Sequence, residues 1–179
     1  MDKQLLIKTA QQMVQKGKGI LATDESTGTA GKRLESIKVE STFETRNEYR
    51  DMLFTADGIE RYISGVILFD ETIRQKSTSI DNKSFIDLFA DKGIIPGIKV
   101  DTGAHNLSGF NGEKITEGLD GLRGRLEEYF EMGARFAKWR AVITIGNEVP
   151  SDACIYSNAH ALARYASLCQ ESSIVPIVE

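Results

Sequence analysis

Cysteine, proline and histidine are all scarce in this chain, with two, three and two copies among 179 residues. The two cysteines, Cys154 and Cys169, fall on one predicted helix, too far apart along it to pair. They read as reduced, buried thiols in a cytosolic protein, not as a disulfide framework. Two isolated histidines, His105 and His160, have no metal-ligand spacing, so a zinc site is not expected. With so little proline and no low-complexity tract, no linker divides the chain, and residues 1–179 are expected to form a single domain. No apolar run approaches the roughly 18 residues that suggest a membrane span. The polar start, Met1-Asp2-Lys3-Gln4, lacks the apolar core of a signal peptide. Two glycosylation sequons, Asn82-Lys83-Ser84 and Asn106-Leu107-Ser108, are therefore discounted. There is no P-loop, and Gly17-Lys18-Gly19 lacks the third glycine of a dinucleotide fingerprint. A net charge of -4 argues against a nucleic-acid or membrane surface, although not against a local basic pocket.

What the chain does have is apolar material for a core, 41% of its residues, arranged as alternating strands and helices. The expected strands are Gly19–Thr23, Ser64–Phe69, Gly97–Asp101, Phe136–Ile145 and Ile174–Glu179. The first helix carries Leu6, Ala10, Met13 and Val14 at helical spacing, with Gly17 at its C-terminal end. A second starts from the capping pattern Ser41-Thr42-Phe43-Glu44 and runs toward Leu53. A third presents Leu119, Leu122, Leu126 and Phe130 and stops at Gly133. The last begins near Pro150-Ser151-Asp152 and carries Ala159, Leu162, Ala163, Ala166 and Cys169. Ile73–Ser84 is polar and reads as a surface loop. Strand–helix alternation implies an α/β fold with a parallel sheet. The strand spacing suits a (β/α)8 TIM barrel, of which this chain supplies about five strands. Its outer strands would be apolar edges, to be completed by further sequence or another chain, unless the piece is a fragment.

Lys138 and Arg140 stand out inside an otherwise apolar strand, pointing one way while Trp139 points the other. Two cations buried side by side need anions to meet them. In a parallel barrel, chemistry gathers at the C-terminal strand ends. Those ends deliver Asp24, Lys99, Lys138, Arg140 and Glu179 toward one place. Carboxylates and ammoniums packed together shift each other's pKa values, which is how acid–base sites arise. Plainer readings exist for each. Asp24 could cap the next helix, and Ser26 and Thr29 could be turn residues. Lys99 could pair with Asp101, Lys138 and Arg140 could form structural ion pairs, and Glu179 could be a frayed end.

Several long motifs in register resemble class I fructose-bisphosphate aldolase. They are Gly17-Lys18-Gly19-Ile20-Leu21-Ala22-Thr23-Asp24-Glu25-Ser26-Thr27-Gly28, Gly97-Ile98-Lys99-Val100-Asp101, Phe136-Ala137-Lys138-Trp139-Arg140 and Val175-Pro176-Ile177-Val178-Glu179. Leu162-Ala163-Arg164-Tyr165-Ala166 and the stretch around Asn111-Gly112-Glu113 fit as well. The resemblance implies a cytosolic, usually tetrameric (β/α)8 barrel with no metal or other cofactor. Such an enzyme cleaves fructose 1,6-bisphosphate reversibly through a lysine Schiff base. By resemblance, Asp24 is the acid/base carboxylate of the cleavage step. Glu179 serves the proton transfers of iminium formation and hydrolysis, and Lys138 holds charge beside it. Ser26, Thr29, Arg33, Arg46, Lys99 and Arg140 fall on positions that bind substrate or its phosphates. Three positions depart from the usual pattern: Thr29 replaces a serine, Thr102 a common lysine and Thr23 an alanine. The Schiff-base lysine is expected on a sixth strand, beyond Glu179, so neither Lys138 nor Lys99 is expected to be the nucleophile. The alternatives are an incompetent fragment or interaction module, and a different phosphosugar barrel, which the motif matches disfavour.

Overall fold

A computed structural model describes residues 1–179. Five parallel strands form one sheet: β1 (Gly19–Thr23), β2 (Ile63–Leu68), β3 (Ile95–Lys99), β6 (Phe136–Trp139) and β7 (Val175–Val178). They lie in the order β1-β2-β3-β6-β7, each paired with its neighbour in the barrel sequence. Between β3 and β6 comes an antiparallel hairpin, β4 (Gly103–Asn106) and β5 (Lys114–Glu117). The helices are α1 (Lys3–Met13), α2 (Thr27–Ser36), α3 (Phe43–Phe54), α4 (Asp70–Ile73), α5 (Phe85–Lys92), α6 (Leu122–Met132) and α7 (Asp152–Glu171).

Alternation along the strands separates two apolar layers. Val66, Leu68, Ile98, Val100, Ala137 and Trp139 face the helices and join Phe54, Phe85, Phe89, Leu126 and Tyr165 in the main core. Ile67 and Phe136 face the other way, packed with Ile20, Ile95, Val175, Ile177 and Met13. That second face is the interior of the barrel, and α1 closes its lower end. Ser64 donates to the Met13 carbonyl at 2.6 Å. Phe136 dominates the interior because Gly97 on the neighbouring β3 and Gly65 on β2 beyond it leave room for its ring.

The helix boundaries follow local chemistry. Ser26, Thr42, Ser84 and Ser151 each accept a hydrogen bond from a backbone N–H of the first turn. Gly93 and Gly133 end α5 and α6 in the left-handed conformation.

Several expectations need correction. The strand expected over Phe136–Ile145 ends at Trp139. Asp101 accepts from the Arg140 N–H at 3.4 Å and Thr116 donates to the Arg140 carbonyl at 2.8 Å, so the chain leaves the sheet there. The strand expected over Gly19–Thr23 is found with those bounds, and the other three keep their places with ends shifted by one or two residues. In α1 only Met13 of the expected apolar face is buried, and Val14 is 77% exposed. The buried stripe of α7 is Cys154, Asn158, Ala161, Tyr165 and Cys169, while Ala159 and Ala163 face outward. Both cysteines are free and buried.

The Ile73–Ser84 segment is not a simple surface loop, since Gln75 and Ser77 are buried. Its hydroxyls and amides serve the buried Asp51 carboxylate instead of water. Thr78 contributes its N–H and hydroxyl at 3.1 and 2.9 Å, and Ser79 contributes both at 2.9 and 2.6 Å. Burial alone would raise the Asp51 pKa, but the hydroxyls of Ser77, Ser79 and Thr78 outweigh it and hold the carboxyl below its ordinary value. A lowered pKa means this stabilisation is present above the ordinary aspartate range and is lost as pH falls through the lowered value. Asp51→Ala strands those donors and is expected to cost about 3 kcal/mol, within the range for charged hydrogen bonds and unsatisfied buried groups. Urea unfolding at neutral pH measures it, and a cost shrinking toward acid pH identifies the carboxylate as the cause.

Candidate active site

The C-terminal strand ends converge on one cluster of charge. From β6, Lys138 points into the barrel with its side chain 12% exposed. Its Nζ lies 3.0 Å from Asp24 Oδ2, just past β1, and 3.1 Å from Glu179 Oε2, just past β7. Burial would lower the Lys138 pKa, but the two carboxylates outweigh burial and the net shift is upward. The amine is therefore held as ammonium. Glu179 is not frayed. Its N–H donates to the Trp139 carbonyl at 3.1 Å and its carbonyl accepts from Ala141 N–H at 2.8 Å.

Arg140 does not share the burial of Lys138. Its side chain is 59% exposed, with Nε 3.7 Å from Glu179 Oε1. The expectation of two cations buried side by side is thus corrected, because the strand stops between them.

From β3, Lys99 Nζ lies 3.0 Å from Asp101 Oδ1. The Asp101 carboxylate also accepts from Gly103 N–H at 3.2 Å, joining the ends of β3 and β6 to the hairpin. Asp24 does not cap the following helix. Ser26 does, accepting from Thr29 N–H at 3.3 Å, and its hydroxyl lies 3.2 Å from that of Thr29.

Asp24, Ser26, Thr29, Arg33, Lys99, Lys138 and Arg140 line one cavity of about 400 Å³, where four cations face three carboxylates. A doubly charged phosphate entering it meets both charge and hydroxyl donors. Glu179 reaches this cluster through its contact with Lys138. Arg46 lies apart, bound side-on to Glu71 at 2.8 and 2.6 Å and not lining the cavity.

A larger depression of about 550 Å³ shares Ser26, Lys99 and Asp101 with the first. Its other cations are already engaged. Arg74 is bound by Asp70 and Glu128, and Arg125 donates to the carbonyls of Val100 and Gly118. The smaller cavity sets four cations against three carboxylates, whereas the larger sets Arg74, Lys99 and Arg125 against Asp70, Asp101, Asp120 and Glu128, so the balance of charge favours an anion in the smaller one.

Two residues of the cluster escaped the sequence reading. Glu25 bridges Arg33 on the cavity side and the buried Arg50 of α3, the latter at 2.7 Å. Neither Glu25 nor Arg50 carries a local signal, because α3 lies far along the chain from the loop it meets. Asp101 stood in view only as a partner for Lys99.

A family profile described as "Glycolytic: Fructose-bisphosphate aldolase class-I" matches residues 5–179. The probable fructose-bisphosphate aldolase class 1 of Xanthomonas campestris pv. campestris is 61% identical over 174 residues, covering 97% of this chain and 52% of that protein. The cytosolic fructose-bisphosphate aldolase 4 of Arabidopsis thaliana is 55% identical over 174 residues, covering 97% and 44%. Among solved structures, fructose-bisphosphate aldolase from Plasmodium falciparum, in a ternary co-crystal with TRAP and a small-molecule inhibitor, superposes with a TM-score of 0.94 at 50% identity. That match covers 98% of this chain and 51% of the solved one. The chain spans about half the length of the curated relatives it matches. No helix is long and apolar enough to cross a membrane.

Proposed function

The chain belongs to the class I fructose-bisphosphate aldolase family, and from that premise we propose that it forms the acid–base and phosphate-binding half of such an enzyme's active site. The reaction is reversible cleavage of fructose 1,6-bisphosphate to dihydroxyacetone phosphate and glyceraldehyde 3-phosphate, a step of glycolysis and gluconeogenesis. The observation that carries the proposal is Lys138, held between Asp24 and Glu179 at the rim of a cationic cavity.

The chemistry needs an electron sink and a base. A substrate ketone condensed with an amine gives an iminium. When the adjacent carbon–carbon bond breaks, its electrons flow into that iminium and form an enamine. The hydroxyl on the departing carbon loses its proton and becomes the aldehyde of glyceraldehyde 3-phosphate. In this reading Asp24 takes that proton. Glu179 moves protons as the iminium forms and is hydrolysed, and Lys138 keeps a fixed positive charge between them. Arg33, Lys99 and Arg140, with Ser26 and Thr29, engage the substrate and its phosphates. Arg46, paired with Glu71 outside the cavity, is left a supporting role.

Lys138 is a poor nucleophile, because its two carboxylates keep it protonated. The reading therefore assigns the condensing amine to the half of the family's length that this chain does not span. It extends to a cytosolic homotetramer working without metal.

Trapping the native polypeptide with dihydroxyacetone phosphate and borohydride tests this. One lysine is expected to be labelled, and it is neither Lys138 nor Lys99. Labelling at Lys138 would overturn the role given to it, and absence of any labelled lysine would overturn the Schiff-base reaction.

A further inference from the structure

Beyond Thr23, β1 has no further ladder partner, because its register with β2 ends at Thr23 and Leu68. Asp24 nevertheless needs a fixed position if its carboxylate is to stay 3.0 Å from Lys138. The next residue supplies the hold. Glu25 is gripped at two points by Arg50, whose side chain is only 3% exposed. One guanidinium nitrogen lies 2.7 Å from the Glu25 carboxylate, and another donates to the Glu25 main-chain carbonyl at 3.1 Å. That carbonyl sits between Asp24 and the helix-capping Ser26.

Arg33 reaches the same carboxylate from the other side, but its side chain is 58% exposed and lines the cavity. An arriving phosphate competes with Glu25 for Arg33. Arg50 is buried away from that competition, beside the Tyr49 ring. It is the anchor that remains when the cavity is occupied.

We propose that Arg50 is a positioning residue for the reaction: through Glu25 it fixes the Asp24 carboxylate against Lys138. The proposal rests on the aldolase reading of the site. Arginine suits the task because its planar fork holds a carboxylate and a carbonyl together, whereas a lysine offers one point of charge.

Arg50→Lys in the native polypeptide keeps the charge and removes the fork. The expected result is a folded protein with kcat lowered about tenfold and KM for fructose 1,6-bisphosphate within about threefold. In an Asp24→Asn background the same change is expected to cost no more than about twofold, since Arg50 acts through Asp24. An equal loss in that background overturns the proposal, as does a raised KM with unchanged kcat.

A crystal structure of Arg50→Lys decides independently of turnover. An Asp24–Lys138 contact opened beyond hydrogen-bond reach supports the proposal, and a contact kept at 3.0 Å overturns it. If the unaltered protein turns over no sugar bisphosphate, the functional reading fails while this measurement still decides the positioning. Should Arg50→Lys not fold, Glu25→Gln removes the ion pair alone, with the same direction expected in kcat and in the contact distance, and unchanged values of both overturn the proposal.

Discussion

On the proposed function, Lys138→Ala in the native polypeptide is expected to lower kcat about a thousandfold, with KM for fructose 1,6-bisphosphate changed only a few-fold. Removing one preorganised electrostatic group from an enclosed site costs about two to three orders of magnitude in turnover. Lys138 lies at the upper end because it serves two carboxylates at once. Without it, Asp24 and Glu179 face each other across the gap with no cation between them. The charge that develops during proton transfer then goes uncompensated, so the chemical step suffers more than binding. Lys138→Met, which keeps the length of the side chain, is expected to behave the same way and excludes a simple cavity effect. Near-normal turnover in either variant would refute the role. A raised KM alone would recast Lys138 as a phosphate ligand. Because the Lys138 pKa is raised, its ion pairs stabilise the fold fully below the ordinary lysine range. That contribution is lost only as pH rises through the raised value, so activity at neutral pH should not titrate with this group.

The parts of this molecule that the chain announces are those set by neighbours in sequence. Ser151 and Gly133 mark helix ends because a cap acts within one turn, whereas the capping pattern Ser41–Glu44 lies one residue early, the box being formed by Thr42 and Thr45. Alternation along Phe136–Trp139 correctly sends Lys138 inward and Trp139 outward, where Trp139 packs on Tyr165 at 5.5 Å. Charged residues at four strand ends meet because parallel strands aim their C-terminal ends at one place. What could not be read is set by distant partners. The β4–β5 hairpin is short and polar, and its place comes from Asn158 of α7, which donates to the Lys114 carbonyl at 2.9 Å. Asn158 in turn looks like a surface residue until that hairpin covers it. The Ser77-Thr78-Ser79 run reads as solvated until Asp51 is brought beneath it. Arg50 and Glu25 are invisible as a pair for the same reason. Strand length failed at Arg140 because the limit is imposed by Asp101 and Thr116, one from just past the neighbouring β3 and one from the hairpin.

Gly97→Ala is expected to destabilise the fold by about 3 kcal/mol, near the upper end of the cost for forcing extra carbon into a packed core. Gly97 pairs in register with Phe136 across β3 and β6. A Cβ placed there runs into the Phe136 ring, and even the third-nearest ring atom, Cδ2, would lie at 2.6 Å. The ring already fills the space that the missing side chain of Gly65 on β2 leaves, with its Cε1 3.0 Å from where a Cβ would stand there. Ile67, Ile95 and Val175 close the remaining space. The clash is with an aromatic ring that is fully buried, so no flexible chain end can move aside. Phe136→Leu is the rescue. Alone it leaves a cavity and costs about 1 to 2 kcal/mol by the transfer and cavity terms. Combined with Gly97→Ala it is expected to recover part of the loss, because the new methyl occupies space the ring has vacated. Urea midpoints of the two single variants and the double variant measure the coupling. Independent, additive losses would show that the ring does not depend on the glycine. The consequence reaches the site, since Phe136 and Lys138 are two residues apart on the same face of β6. Displacing the ring tilts the strand that aims Lys138 at Asp24. Gly97→Ala should therefore lower kcat in the fraction that remains folded, and Phe136→Leu should restore it along with stability.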